Sequence, residues 1–147
     1  MPMPMPSAPR WYALPLLLLG ATGFAAAWML AALALEGLCA WLAPLAAVDM
    51  VLLLRMAKWP AGPSRAAWAV LATAGVVAAA NFLIVAGQVG RSFGFRPWES
   101  ALLIGRDYAW LLLRLAADRL DVALWAAGLL VALWAGLSGR RPVPSAR

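Results

Sequence analysis

The chain has 147 residues, of which 65% are hydrophobic and 12% are charged, and its mean hydropathy is +0.84. This composition is typical of an integral membrane protein rather than of a soluble domain. The formal charge of +6 comes almost entirely from arginines at the ends of apolar runs, where they set topology and meet anionic lipid. Nucleic acid is therefore not an expected partner.

Catalytic and metal chemistry is restricted by the absence of histidine and by the presence of a single cysteine, Cys39. An intramolecular disulfide, a CxxC pair, a histidine-ligated haem and the usual zinc sites are all excluded. Gly90, Ser92 and Gly94 fit the G-x-S-x-G pattern of serine hydrolases, but that mechanism needs a histidine base. We expect no catalytic residues, no cofactor and no bound metal.

The first apolar run predicts a transmembrane helix at about 13–35, because it carries no charge and is long enough to cross a hydrocarbon core of roughly 30 Å. Residues 1–6 alternate Met and Pro, and the proline-rich segment 1–10 is predicted to be a disordered tail. A cleaved signal peptide is the alternative, although signal cores are usually only about 7–15 residues long. Small residues recur every four positions and would let another helix approach: Gly23, Ala27 and Ala31.

A second span is predicted at about 38–54, and it contains Pro44 and Asp49. An ionisable residue at this depth is costly and marks either an ion pair or a proton or ion path. Asp49 therefore has two interpretations, a pair with Arg55 or another arginine near the helix end, or a transport role.

The segment 55–65 has three positive charges and no negative one, which places it in the cytoplasm by the positive-inside rule. A third span follows at about 66–89. Asn81 and Gln88 lie seven residues apart and share a helix face. Amides in such positions hydrogen-bond across helices or line a ligand cavity.

The segment from Gln88 to Asp121 interrupts the apolar chain with five arginines and four carboxylates. Its pattern predicts an interfacial amphipathic helix at about 98–117, with a charged stripe spanning about 60°. Two interpretations of these charges are open. They either pair with one another, or they form a docking surface for a partner protein or a lipid head group. The candidate docking residues are Arg91, Arg96, Arg106, Asp107, Arg114, Asp118 and Asp121.

The last span is predicted at about 118–138 and is followed by a basic tail at 140–147. Gly128, Ala132 and Gly136 form a second stripe of small residues. Four spans place both termini on the side of the 55–65 loop. We predict an all-α integral inner-membrane protein with four transmembrane helices, an interfacial helix before the last span, and both termini in the cytoplasm.

The favoured functional hypothesis is a non-enzymatic accessory or structural subunit, which binds a membrane-protein partner or further copies of itself within the lipid bilayer. The alternative is a small oligomeric proton-coupled transporter that uses Asp49, with Asn81 and Gln88 lining the path. In size and in having one membrane carboxylate the chain is similar to small four-helix multidrug transporters. Their acidic residue lies in the first helix, and this first helix has none.

Overall fold

A computed structural model describes residues 11–139, which contain six α-helices and no strand. The predicted tails at 1–10 and 140–147 lie outside the described residues. The helices are α1 (Ala13–Leu35), α2 (Leu42–Met56), α3 (Pro63–Phe93), α4 (Pro97–Leu103), α5 (Arg106–Ala116) and α6 (Arg119–Leu137). The prediction of an all-helical chain is confirmed for this range.

Three of these helices, α1, α3 and α6, are long and apolar enough to cross a membrane, which indicates a membrane-embedded protein. The second predicted span corresponds to α2, which has 15 residues and rises about 22 Å, less than the roughly 30 Å of a hydrocarbon core. A fourth crossing therefore stays a prediction. By contrast, α3 has 31 residues and rises about 46 Å, so it extends beyond the predicted span at both ends.

The connection from α1 to α2 is a compact turn that lies against the bundle. Glu36 ends α1 in the left-handed conformation, and the Trp28 indole Nε1 donates a hydrogen bond of 2.8 Å to the carbonyl of Leu38. Leu38 and Ala40 are buried. Irregular backbone is tolerated at membrane depth only where protein covers it. Here the Trp28 side chain provides a hydrogen-bond donor for the carbonyl of Leu38 in the turn.

Helix α3 is the centre of the bundle, because it contacts every other helix in the 11–139 range. Helix α2 contacts α1, α3 and α6, whereas α1 and α6 do not touch each other and lie on opposite sides of the α2–α3 pair. The largest buried side chains come from three helices, namely Trp28 of α1, Met50 and Leu54 of α2, and Val76 and Ile84 of α3.

Two cross-helix hydrogen bonds show which helix termini lie together at one end of the bundle. The Tyr12 hydroxyl donates to the carbonyl of Ala57 at 2.9 Å, and Arg65 Nε donates to the carbonyl of Gly136 at 2.9 Å. The starts of α1 and α3 and the ends of α2 and α6 therefore share one end, which we name the basic end. The opposite end carries α4 and α5, and we name it the polar end.

The second stripe of small residues is buried inside the bundle, as close helix packing requires. A Cβ atom built on Gly128 would lie 2.8 Å from the carbonyl carbon of Ala43 in α2. One built on Gly136 would lie 2.5 Å from Cα of Ala66 in α3, and Ala132 between them is fully buried. This face of α6 is thus occupied by α2 and α3.

The prediction of one continuous interfacial helix at 98–117 is wrong, because two helices, α4 and α5, occupy that stretch. Ile104 takes an extended conformation and Gly105 caps α5. The side chain of Ile104 is 9% exposed and packs in a small cluster with Ala86 of α3 and Ala109 of α5. The chain bends where Ile104 is buried against α3, and both Ile104 and Gly105 have extended backbone angles there.

We predict that Gly136→Ala lowers the thermal stability of the protein in detergent, because the added methyl collides with the backbone of Ala66. Overpacking of this kind costs about 1–3 kcal/mol. Gly23→Ala is the matched control, since no atom lies within 4 Å of a Cβ at that position. Circular dichroism melting should show a lower midpoint for Gly136→Ala and an equal or higher one for Gly23→Ala. Equal midpoints for both variants would contradict the close approach.

Candidate functional site

Three of the four carboxylates in the polar segment accept hydrogen bonds from the first turns of helices. Asp118 is the N-cap of α6, where its Oδ1 accepts from the backbone N–H of Arg119 at 2.6 Å, and Asp121 Oδ2 accepts from the N–H of Asp118 at 3.0 Å. At α4, Glu99 Oε2 accepts from the N–H of Arg96 at 3.0 Å. Carboxylates at these positions satisfy free N–H groups and the positive end of the helix dipole.

The predicted charged stripe does not lie on one helix face. Asp107 and Arg114 belong to α5, whereas Asp118 and Asp121 begin α6, and Ala117 between the two helices is extended. The physical reason is the capping role of Asp118, since an N-cap residue starts a new helix instead of continuing an old one.

The arginines of the polar segment make separate contacts. Arg91 Nη1 donates to the carbonyl of Leu33 at 3.0 Å, in the last turn of α1, and the Arg96 guanidinium lies 5.4 Å from the centre of the Trp98 ring. The one ion pair among residues 11–139 joins Arg106 Nε to Asp107 Oδ1 at 4.0 Å, and both side chains are fully exposed. Exposed pairs of this kind contribute little to stability.

Asp49 is half-buried on α2 and has no hydrogen bond or ion pair among residues 11–139. One turn later on the same face, Leu53 packs against Gly20, so this side of α2 faces α1. Arg55, its expected partner, donates instead to carbonyls at the end of α6.

Asn81 and Thr73 bond to their own helix, and neither makes a hydrogen bond to another helix within the described residues. Asn81 Nδ2 donates to the carbonyl of Val77 at 2.7 Å, and Thr73 Oγ1 donates to the carbonyl of Ala69 at 2.7 Å. The carbonyl four residues earlier is the nearest acceptor, which satisfies a donor without a second helix. Asn81 Oδ1 is buried and has no partner in the described part of the chain.

Gln88 is exposed and lines a pocket between α3 and α5 together with Ser92 of its own helix and Leu112 and Leu115 of α5. No residue of α2 lines that pocket. The structure therefore does not bring Asp49 together with Gln88 in one cavity.

Two arginines at the basic end converge on the end of α6. Arg65 is 5% exposed, and its Nε donates to the carbonyl of Gly136 while its Nη2 donates to those of Ala135, at 3.3 Å, and Ser138. Arg55 Nη2 lies 3.4 Å from the same Ala135 and Ser138 carbonyls. Together they satisfy helix-end carbonyls that lack intrahelical donors.

An open cavity of about 740 Å³ lies at this junction, lined by Arg55, Arg65, Ser138 and Gly139. From sequence, Arg65 was expected only to set topology and Arg55 to set topology or pair with Asp49, so no site was predicted here. The available signal was the position of Arg65 in the first turn of a helix, where a basic residue is unfavourable next to the helix dipole unless it has another role.

Two of the three small residues in the α1 stripe face away from the bundle, whereas the third, Ala31, is half-buried. Gly23 and Ala27 are exposed, and no atom lies within 4 Å of a Cβ built on Gly23. The two stripes predicted from sequence thus differ in environment, since that of α6 is filled by α2 and α3 and that of α1 is open.

No protein-family model, curated protein or solved structure matches the chain. Among residues 11–139, no three His, Cys, Asp or Glu side chains form a group suited to a metal ion.

We predict that Asn81→Leu raises the thermal midpoint, because it removes a buried acceptor that has no partner. Such a group costs about 1–3 kcal/mol, and leucine has the same branched arrangement of side-chain heavy atoms. Thr73→Val is the control, since it replaces a buried hydroxyl that is already hydrogen-bonded, and we expect a change in the same assay that is small by comparison. A loss of stability in Asn81→Leu would show that Oδ1 has a partner in the membrane.

Proposed function

We propose that the protein is a non-enzymatic accessory or structural subunit of a larger complex in the inner membrane. In this proposal the chain crosses the membrane four times, both termini face the cytoplasm, and the polar end faces the opposite side. The observation that carries the proposal is the outward face of α1, where Gly23 and Ala27 are exposed and unfilled.

Small residues on a membrane helix matter because they allow close backbone approach. Between apolar helices in lipid there is no hydrophobic driving force, so association depends on packing at close range and on polar contacts. Gly128 and Gly136 show what such a face does in this chain, since each lies within contact distance of a neighbouring helix. The face of α1 offers the same chemistry to a helix from another protein.

The polar end supplies a second surface for the same partner. The side chains of Arg96, Arg106, Arg114 and Arg119 are exposed there, while Glu99, Asp118 and Asp121 are directed to helix starts. Exposed arginines suit a partner with acidic groups outside the membrane, because complementary charge steers encounter and fixes orientation.

We expect the tagged full-length protein, purified in mild detergent, to retain a membrane-protein partner at a fixed ratio. Gly23→Leu should reduce the recovered partner about tenfold, since a large side chain separates the helices. Gly75→Leu is the matched control, because Gly75 is also open on a membrane helix but outside the α1 stripe. Recovery of the wild-type protein alone, without a partner, would contradict the proposal.

A second candidate function is proton-coupled transport by an oligomer, favoured by the unpaired carboxylate of Asp49 in an apolar helix. A carboxylate in this setting can take up a proton, because no cation holds it in the ionised form. Asp49→Asn should then abolish proton flux in proteoliposomes under an imposed pH gradient, while Asp107→Asn, at an exposed site, leaves it unchanged. Equal flux in the wild type and Asp49→Asn would remove this candidate.

A further inference from the structure

The junction at the end of α6 carries more positive charge than its surroundings neutralise. Two guanidinium groups, those of Arg55 and Arg65, meet at the carbonyl end of a helix, which provides the equivalent of roughly half a negative charge. No carboxylate lies within ion-pair distance of either group among residues 11–139. The junction therefore holds an excess of roughly one and a half positive charges.

Burial makes this excess harder to tolerate. Arg65 is 5% exposed, so water screens its charge less than that of the exposed Arg55, and the repulsion between the two like charges is reduced less than in bulk water. A helix dipole supplies only partial compensation. An anion entering from outside the chain would remove the remaining repulsion.

The junction also has free hydrogen-bond donors directed by a rigid framework. Carbonyl groups engage Arg65 Nε and Nη2 and Arg55 Nη2, which leaves Arg65 Nη1 and Arg55 Nε and Nη1 without partners in the described part of the chain. The carbonyls hold both planar guanidinium groups beside one open cavity of about 740 Å³. Arginine forks of this kind match the geometry of phosphate oxygens.

We propose that the cavity lined by Arg55, Arg65, Ser138 and Gly139 binds the phosphate of an anionic phospholipid. A phosphodiester carries one negative charge, which brings the junction close to neutrality. The adjacent surface supports a lipid over a free phosphate ion, since Met56 is 75% exposed, Trp134 is 72% exposed and Leu137 is 50% exposed. These side chains offer apolar contact to acyl chains, and basic pockets between membrane helices bind anionic head groups in this way.

The test is native mass spectrometry of the full-length protein in detergent micelles that contain either phosphatidylglycerol or phosphatidylcholine. We expect the wild type to retain one phosphatidylglycerol and to bind phosphatidylcholine at least tenfold more weakly. Arg55→Gln should weaken phosphatidylglycerol binding about tenfold, because a charge-assisted fork is lost. Arg119→Gln, which removes an equal charge from an exposed side chain at the polar end, should leave binding unchanged.

The substitution is made at Arg55 and not at Arg65, because in Arg55→Gln the remaining Arg65 still donates hydrogen bonds to the carbonyls at the end of α6. Should Arg55→Gln lose its cooperative melting transition, Arg55→Lys keeps the charge without the fork and should bind with intermediate affinity. Equal losses in Arg55→Gln and Arg119→Gln, or equal retention of the two lipids, would overturn the proposal.

Competition with inorganic phosphate distinguishes a phospholipid from a free phosphate ion as the occupant of the cavity. Millimolar phosphate added to the micelles should leave phosphatidylglycerol bound, because the lipid gains acyl contacts that the free ion lacks. Complete displacement of the lipid by phosphate would overturn the lipid assignment and identify a site for the free ion.

Discussion

The structure depends on satisfying backbone groups at helix ends in a medium that supplies little water. The end of α6 receives donors from Arg55 and Arg65, and the last turn of α1 receives one from Arg91. At helix starts the acceptors are carboxylates, as with Asp118 at α6. Unsatisfied backbone groups cost several kcal/mol in lipid, so these contacts determine where each helix can stop and start.

Close packing and end capping reinforce each other along α6. Gly136 allows α3 to approach at Ala66, and the neighbouring Arg65 is thereby brought to the carbonyl of Gly136 at 2.9 Å. A side chain at position 136 would move the two helices apart and lengthen this hydrogen bond. Gly136 therefore allows both the close approach to Ala66 and the hydrogen bond from Arg65.

Much of the fold could be predicted from the sequence, because uninterrupted apolar length is a direct physical requirement for crossing a membrane. Helices α1 and α6 match the predicted spans closely, and the small residues of α6 pack as a close-approach face. The break at Ile104 could not be predicted, since it depends on burial against Ala86, far away in sequence. The convergence of Arg55 and Arg65 was missed for the same reason, because their partners are backbone carbonyls 70 or more residues later and leave no side-chain pattern.

The short length of α2 has a consequence for how the chain enters the bilayer. A 15-residue helix that contains Asp49 is a weak insertion signal on its own, and a segment shorter than the bilayer thins it locally or needs longer neighbours. Its buried face is covered by α1, α3 and α6, and α6 is made last. During synthesis the buried face of α2 therefore stays incompletely covered until α6 has been made, so the packing of α2 depends on a helix that begins at Arg119.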